Sequence, residues 1–204
     1  MPYEIATLSC SATVLREVSR HAAAWVADPS AGGSLLGLWR AEAGALGRLL
    51  ILRGFDTAAD MAQERRRTAL SDNPFNGGHL LRGFSQEGYA PFPFLPPIGP
   101  QKLGPLYELR TYHLAPGTLS RVMAGWNAAM EPARDYTRHM VTIMYALDGA
   151  PRITHIWGFE SFEARLAIRQ KASADGVWPP KDVPEHIVEA GSLLAFPDAV
   201  SPLC

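Results

Sequence analysis

The chain has 204 residues, 47% hydrophobic and 19% charged, with a formal net charge of -1. That composition fits one large or two small globular domains and excludes nucleic-acid recognition through a basic footprint. No apolar run approaches the roughly 20 residues that cross a bilayer, and the opening Met1-Pro2-Tyr3-Glu4-Ile5 does not read as a signal peptide.

Hydrophobic periodicity assigns residues 3–9 to a strand, 13–27 to a helix and 35–55 to a hairpin. A helix over 57–70 and a strand over 85–94 follow. Within that helix, Arg65-Arg66-Arg67 reads as a solvated face. The Pro-rich stretch from Pro91 to Pro105 closes this first unit and continues as a linker. Residues 106–113 form the next strand, with Tyr107, Leu109 and Thr111 on one face and Glu108, Arg110 and Tyr112 on the other. Pro116-Gly117 breaks it. Leu119, Val122, Met123, Trp126 and Met130 then recur at helical spacing, which predicts an amphipathic helix over 117–130. A strand near 140–147, the turn dipeptide Asp148-Gly149 and a strand over 151–159 make a hairpin. Ser161 is placed to cap a helix over 162–173, and a last strand fits 187–196.

The order βαββαβ therefore occurs twice. Shifting the sequence by 104 residues lays Tyr3-Glu4 on Tyr107-Glu108, Thr7 on Thr111, Arg48 on Arg152, Gly54-Phe55 on Gly158-Phe159 and Arg65 on Arg169. Repetition at one offset marks a tandem array: a unit over 1–97, a linker over 98–105 and a unit over 106–204. Each unit is a split βαβ, or ferredoxin-like, fold, whose four-stranded sheet carries helices on one face and needs a partner for the other. The expectation is an α+β protein whose two repeats pack sheet to sheet as a pseudo-dimeric α/β barrel within the chain. Pairing between chains, as a homo-oligomer, is the alternative.

Tyr107-Glu108-Leu109-Arg110-Thr111-Tyr112, Leu114-x-Pro116-Gly117, Trp126, His155-Ile156-Trp157-x-Phe159-x-Ser161, Arg165, Arg169 and Ser201-Pro202-Leu203 together resemble the NIPSNAP family. The resemblance covers the second unit well and the first only through the repeat. It implies the dimeric α/β-barrel superfamily, which includes small monooxygenases, lactone isomerases and haem-handling proteins. It leaves the reaction open, and some family members are described as adaptors.

Differences between the units locate a candidate site. Arg110, Tyr112, His113, His155 and Trp157 stand where the first unit has Ala6, Leu8, Ser9, Ile51 and Arg53. His155 has the chemistry of a general base or an orienting group, and a core histidine is the plainer reading. Arg110 suits a carboxylate or phenolate, or else an ion pair in the sheet. Glu108, present in both units, suits a structural task or a ligand contact. Tyr112, Tyr145 and Trp157 offer hydrogen bonds and aromatic walls. The expected activity is binding or transformation of a small organic molecule in a pocket lined by Arg110, Tyr112, His155 and Trp157, by cofactor-free oxygenation or proton transfer. The competing expectation is a protein-interaction role for the Phe- and Pro-rich segment 72–97.

Arg165 and Arg169 read as rim or surface groups near Glu160 and Glu163, and His139 and His186 as solvent-facing. No motif marks a metal or cofactor. Only His113 and His155, on neighbouring strands, suggest a meeting of ligands, and haem on either of them is implied by superfamily resemblance alone. Cys10 and Cys204 make no disulfide or zinc pattern, so a reducing, cytoplasmic setting is expected.

Overall fold

A computed structural model describes residues 1–204. Its first half contains β1 (Tyr3–Cys10), α1 (Leu15–Val26), β2 (Ser34–Ala43), β3 (Arg48–Gly54), α2 (Ala58–Ala69) and β4 (Leu81–Pro91). The second contains β5 (Leu106–Leu114), α3 (Leu119–Met130), a short α4 (Arg134–Thr137), β6 (Met140–Ala146), β7 (Arg152–Phe159), α5 (Phe162–Ala174) and β8 (Ile187–Pro197). The eight strands form a closed barrel in the order β1-β3-β2-β8-β5-β7-β6-β4. Within it the order β4-β1-β3-β2 of the first half recurs as β8-β5-β7-β6 in the second.

Antiparallel seams join the halves. At one, Trp39 faces Pro197 and Ala41 faces Ala195. At the other, Tyr89 faces Ala146 and Pro91 faces Met144. Closure within one chain leaves no sheet edge unpaired.

Strand alternation sorts side chains into three layers. Tyr3, Ile5, Trp39, Leu50, Tyr107, Leu109, Met144 and Ile156 fill the barrel interior. Ala6, Leu8, Leu49 and Ile51 pack outward beneath Val18, Ala22 and Trp25 of α1. Ile153, Trp157 and Phe159 do the same beneath Val122 and Trp126 of α3. Helix starts are fixed locally. Thr57 and Asp60 make a reciprocal capping box at α2, and Ser161 accepts from the Ala164 N–H at α5. Gly149, with φ +70, completes the hairpin turn after Asp148.

The segment 72–97 is packed against the core. Phe75 and Phe92 are buried, Phe92 and Phe94 are 5.6 Å apart edge to face, and Phe94 and Leu95 lie against the second-half layer. The linker is tied down as well. The Ile98 N–H donates to Tyr3 Oη, and the Leu103 N–H donates to the Cys204 carbonyl. The expectation of a protruding docking segment is therefore corrected. Phe75, Phe92 and Phe94 belong to the two helix-facing layers, and Phe84 on β4 is exposed. No helix is long and apolar enough to cross a membrane.

The Arg65–Arg67 run also departs from expectation. Glu4 is fully buried and accepts from Arg53 Nη2 at 2.7 Å and Arg65 Nε at 2.9 Å. Arg53 also donates to buried Glu64, which Arg67 holds at 2.8 Å. Only Arg66 of the three is exposed. A carboxylate buried on a strand under a helix draws basic side chains from that helix inward. Replacing Arg53 by Met should lower stability by about 3–5 kcal/mol, because two buried carboxylates lose a shared partner. Arg66→Ala should change it by less than about 0.5 kcal/mol. Urea unfolding midpoints of the two variants check both.

Candidate functional site

The register of β5 against β7 places Arg110 directly opposite His155. Both point outward from the barrel, under α3 and α5, together with Glu108, Tyr112 and Trp157. Four expected residues, Arg110, Tyr112, His155 and Trp157, thus share one face with Glu108. Tyr145 packs on the same outer layer beside Phe92, its ring 6.5 Å away, without a ring contact to His155 or Trp157. His113 is an odd-numbered neighbour of Tyr112 and lies on the other face of β5, so alternation prevents it from meeting His155.

Two linked parts make up the layer. The ionic part centres on Glu108, which is fully buried. It accepts from Arg110 Nε at 2.8 Å, from Arg165 Nε at 2.8 Å and Nη2 at 2.5 Å, and from Ser192 Oγ at 2.6 Å, with Arg169 Nη1 at 3.7 Å. Arg165 and Arg169 are therefore partners of Glu108 rather than of Glu160 or Glu163. Burial alone would raise the Glu108 pKa, but the hydrogen bonds and charges of Arg165, Ser192 and Arg110 outweigh it and hold it down to about 2.

The aromatic part surrounds His155, which is 1% exposed. Tyr112 and Trp126 meet its ring edge to face at centroid distances of 4.7 and 4.9 Å. Trp157 Nε1 donates to His155 Nδ1 at 2.6 Å. Tyr136 stacks on Trp157 at 4.4 Å and 15°. Trp178 closes the group with edge contacts at 4.9 Å to both Trp126 and Tyr136. Trp126, Tyr136 and Trp178 were not singled out as site residues by sequence. Trp126 lies on the apolar stripe of its helix, where a core role and a site role look alike. Tyr136 and Trp178 sit on a one-turn helix and in a loop, where no period marks them.

Desolvation, reinforced by the Arg110 charge, pushes the His155 pKa down to about 3, so its imidazole is neutral near pH 7. With Nδ1 accepting from Trp157, the hydrogen-bond network assigns the ring proton to Nε2. That Nε2 has no hydrogen-bond partner, and neither do Trp126 Nε1 and Tyr136 Oη in the same layer. Arg110 Nη1 donates to Tyr112 Oη at 3.0 Å. As placed, His155 is a hydrogen-bond donor with no lone pair free to act as a base. Burial also raises the Tyr112 and Tyr136 phenols, which stay protonated.

The principal clefts are not lined by Arg110, Tyr112, His155 or Trp157. Instead, clefts flank the layer. One of ≈ 730 Å³ runs along Gly125, Ala129, Val177 and Pro179, and one of ≈ 430 Å³ reaches Tyr136, Ile168 and Ala172. Trp126, Tyr136 and Trp178 fill the volume in between.

A closed antiparallel barrel with helices outside it, built from two βαββαβ halves, is the architecture of the dimeric α/β-barrel proteins. Residues 107–202, in the second half of the chain, match the NIPSNAP family model. Three solved structures resemble nearly the whole chain. A candidate monooxygenase from Lactobacillus acidophilus NCFM has 12% identity and a TM-score of 0.68, covering 98% of this chain and 95% of that one. A second candidate monooxygenase, from Fusobacterium nucleatum, has 9% identity and a TM-score of 0.62 over 96% and 91%. An anthrone oxidase-like protein has 10% identity and a TM-score of 0.60 over 97% and 91%. At these identities the likeness is one of fold. No curated protein sequence matches the chain.

The two shifted groups predict an acid-labile layer. Unfolded His155 takes up a proton near the ordinary imidazole value of 6.5, whereas folded His155 stays neutral to about 3. Stability therefore falls as pH drops below 6.5. Glu108, lowered from 4.5 to about 2, adds a second loss that develops as pH falls through that lower window. In unfolding curves measured from pH 7 to 4.5, His155→Phe should reduce the slope of stability against pH by up to about 1.4 kcal/mol per pH unit. An unchanged slope would show that His155 titrates normally.

Proposed function

We propose that the chain is a fused pair of ferredoxin-like units, 1–97 and 106–204, whose second unit binds a small planar organic molecule carrying an oxyanion or carbonyl oxygen. The observation that carries this reading is the collection of buried donors without acceptors: His155 Nε2, Trp126 Nε1 and Tyr136 Oη, beside the Arg110 guanidinium. Unsatisfied buried polar atoms are costly, at about 1–3 kcal/mol each, and a ligand oxygen would satisfy them. The aromatic rings offer faces to a planar body. The flanking clefts offer entry by displacement of Trp178.

Arg110 and neutral His155 would stabilise charge developing on an enolate or phenolate oxygen. This is the electrostatic part of a cofactor-free oxygenation or an isomerisation. The names of the barrel neighbours as candidate monooxygenases and as anthrone oxidase-like agree with such a substrate class. The packing of segment 72–97 speaks against the adaptor alternative.

The test is calorimetric titration with an aromatic oxyanion, such as 2-hydroxy-1,4-naphthoquinone, alongside naphthalene-2-sulfonamide as a neutral control. The wild-type chain should bind the oxyanion, with quenching of tryptophan fluorescence. Arg110→Met and His155→Phe should each weaken binding by about tenfold or more, the value of one buried charge-assisted hydrogen bond. Equal affinity for the control, or full affinity in both variants, would remove this assignment.

A further inference from the structure

We propose that the barrel interior holds a second binding site, for a small neutral molecule that carries a hydroxyl group on an apolar body. The site is on the opposite face of the β5–β7 pair from the His155 layer, and Ser192, whose hydroxyl is committed to Glu108, is the one residue the two share.

A cavity of ≈ 290 Å³ lies between the two halves. That volume is at the lower end for small-molecule sites. Ile5, Leu50 and Leu109 give it an apolar wall, and they belong to the barrel core. A chain of hydroxyls forms another part of the wall. Thr111 Oγ1 lies 2.9 Å from Thr154 Oγ1, Thr154 donates to Tyr89 Oη at 3.2 Å, and Tyr89 donates to Glu87 Oε2 at 3.0 Å. Arg152 holds the other Glu87 oxygen at 3.2 Å.

Chemistry fixes the direction of this chain. A carboxylate paired with a guanidinium only accepts. Tyr89 must therefore give its proton toward Glu87, Thr154 toward Tyr89, and Thr111 toward Thr154. Thr111 is left at the cavity end with its proton committed and an oxygen lone pair free. Burial pushes the Tyr89 phenol up to about 12, which keeps the phenolic proton, and hence the direction, in place. Thr7 lines the same cavity as the counterpart of Thr111 in the first half, and its hydroxyl makes no hydrogen bond within the chain.

The ligand group that fits is one that donates to Thr111 and accepts from Thr7, which is a hydroxyl. A carboxylate offers no proton to Thr111. An ammonium has no lone pair for Thr7, and an unsubstituted hydrocarbon uses neither. Glu87 is already matched by Arg152, and the other charged lining residue, Arg48, is solvent-exposed at the start of β3 and away from the hydroxyl chain.

The experiment is ligand-observed saturation-transfer NMR on the full chain with benzyl alcohol, with toluene and benzoate as probes lacking one required property. Benzyl alcohol should bind at millimolar concentration or better, and toluene and benzoate should bind about tenfold more weakly. Thr111→Val should give the same loss and Thr111→Ser should restore binding. Leu193→Trp, on the half-exposed lining, should abolish it by filling the space. Far-UV circular dichroism of each variant confirms that it folds. His155→Phe should leave this binding unchanged, which separates the outcome from that of the outer layer. No binding to wild type, equal binding of toluene, or full affinity in folded Thr111→Val would each overturn the proposal.

Discussion

A carboxylate buried beneath a helix must be neutralised, and this requirement organises both halves. Glu4 and Glu108 occupy the same strand position and are both fully buried. Removing an ionised carboxylate from water costs several kcal/mol unless guanidinium groups and hydrogen bonds replace the solvent. In the first half the guanidinium comes from β3, where Arg53 sits directly opposite Glu4 and also reaches Glu64. In the second half Trp157 takes that opposite position, and the charge is supplied by Arg110 along β5 and by Arg165 from α5. Changing the source of the counter-charge releases one strand position. The aromatic layer is built on the position released.

The consequence for chemistry follows from dielectric. Once Trp157 replaces an arginine, its indole N–H can fix the His155 tautomer and its face can stack on Tyr136. Arg110 remains close enough to oppose protonation of His155. The result is a neutral imidazole donor beside a permanent cation, in surroundings where each charge–dipole interaction is stronger than in water. The first half has no such chemistry at the equivalent place. There Ala6, Ala22 and Ile51 make an aliphatic core with Trp25 and Phe75.

Much of this architecture is legible in the sequence, for identifiable reasons. Periods of 2 and 3.6 are enforced along each whole element, so the eight strands and the principal helices fall within a few residues of expectation. The offset of 104 residues aligns the positions that face the core, because burial constrains them in both halves. Barrel closure was an inference from an unpaired sheet face, and the two seams realise it. The clustering of Arg110, Tyr112, His155 and Trp157 was readable from strand parity. Partner choice was not readable. Arg165 faces Glu108 instead of the nearby Glu163, because burial decides the pairing, and sequence distance does not report burial. The closure of the pocket was equally hidden, since Tyr136 and Trp178 reach the layer from segments without a repeating pattern.

Alternation also explains how one pair of strands can serve two environments. Thr154 and His155 are adjacent in β7, and their cross-strand partners are Thr111 and Arg110. The first pair belongs to the hydroxyl chain inside the barrel and the second to the donor layer outside it. A shift of one residue in the β5–β7 register would exchange them, placing a cation and an imidazole in the apolar interior. The register is held against that shift from both sides. Glu108 is fastened to α5 through Arg165, Tyr107 and Leu109 are locked into the barrel core, and Arg152 anchors the strand end to Asp148 and Glu87. The contacts that neutralise a buried glutamate therefore also determine which face of the sheet each functional side chain occupies.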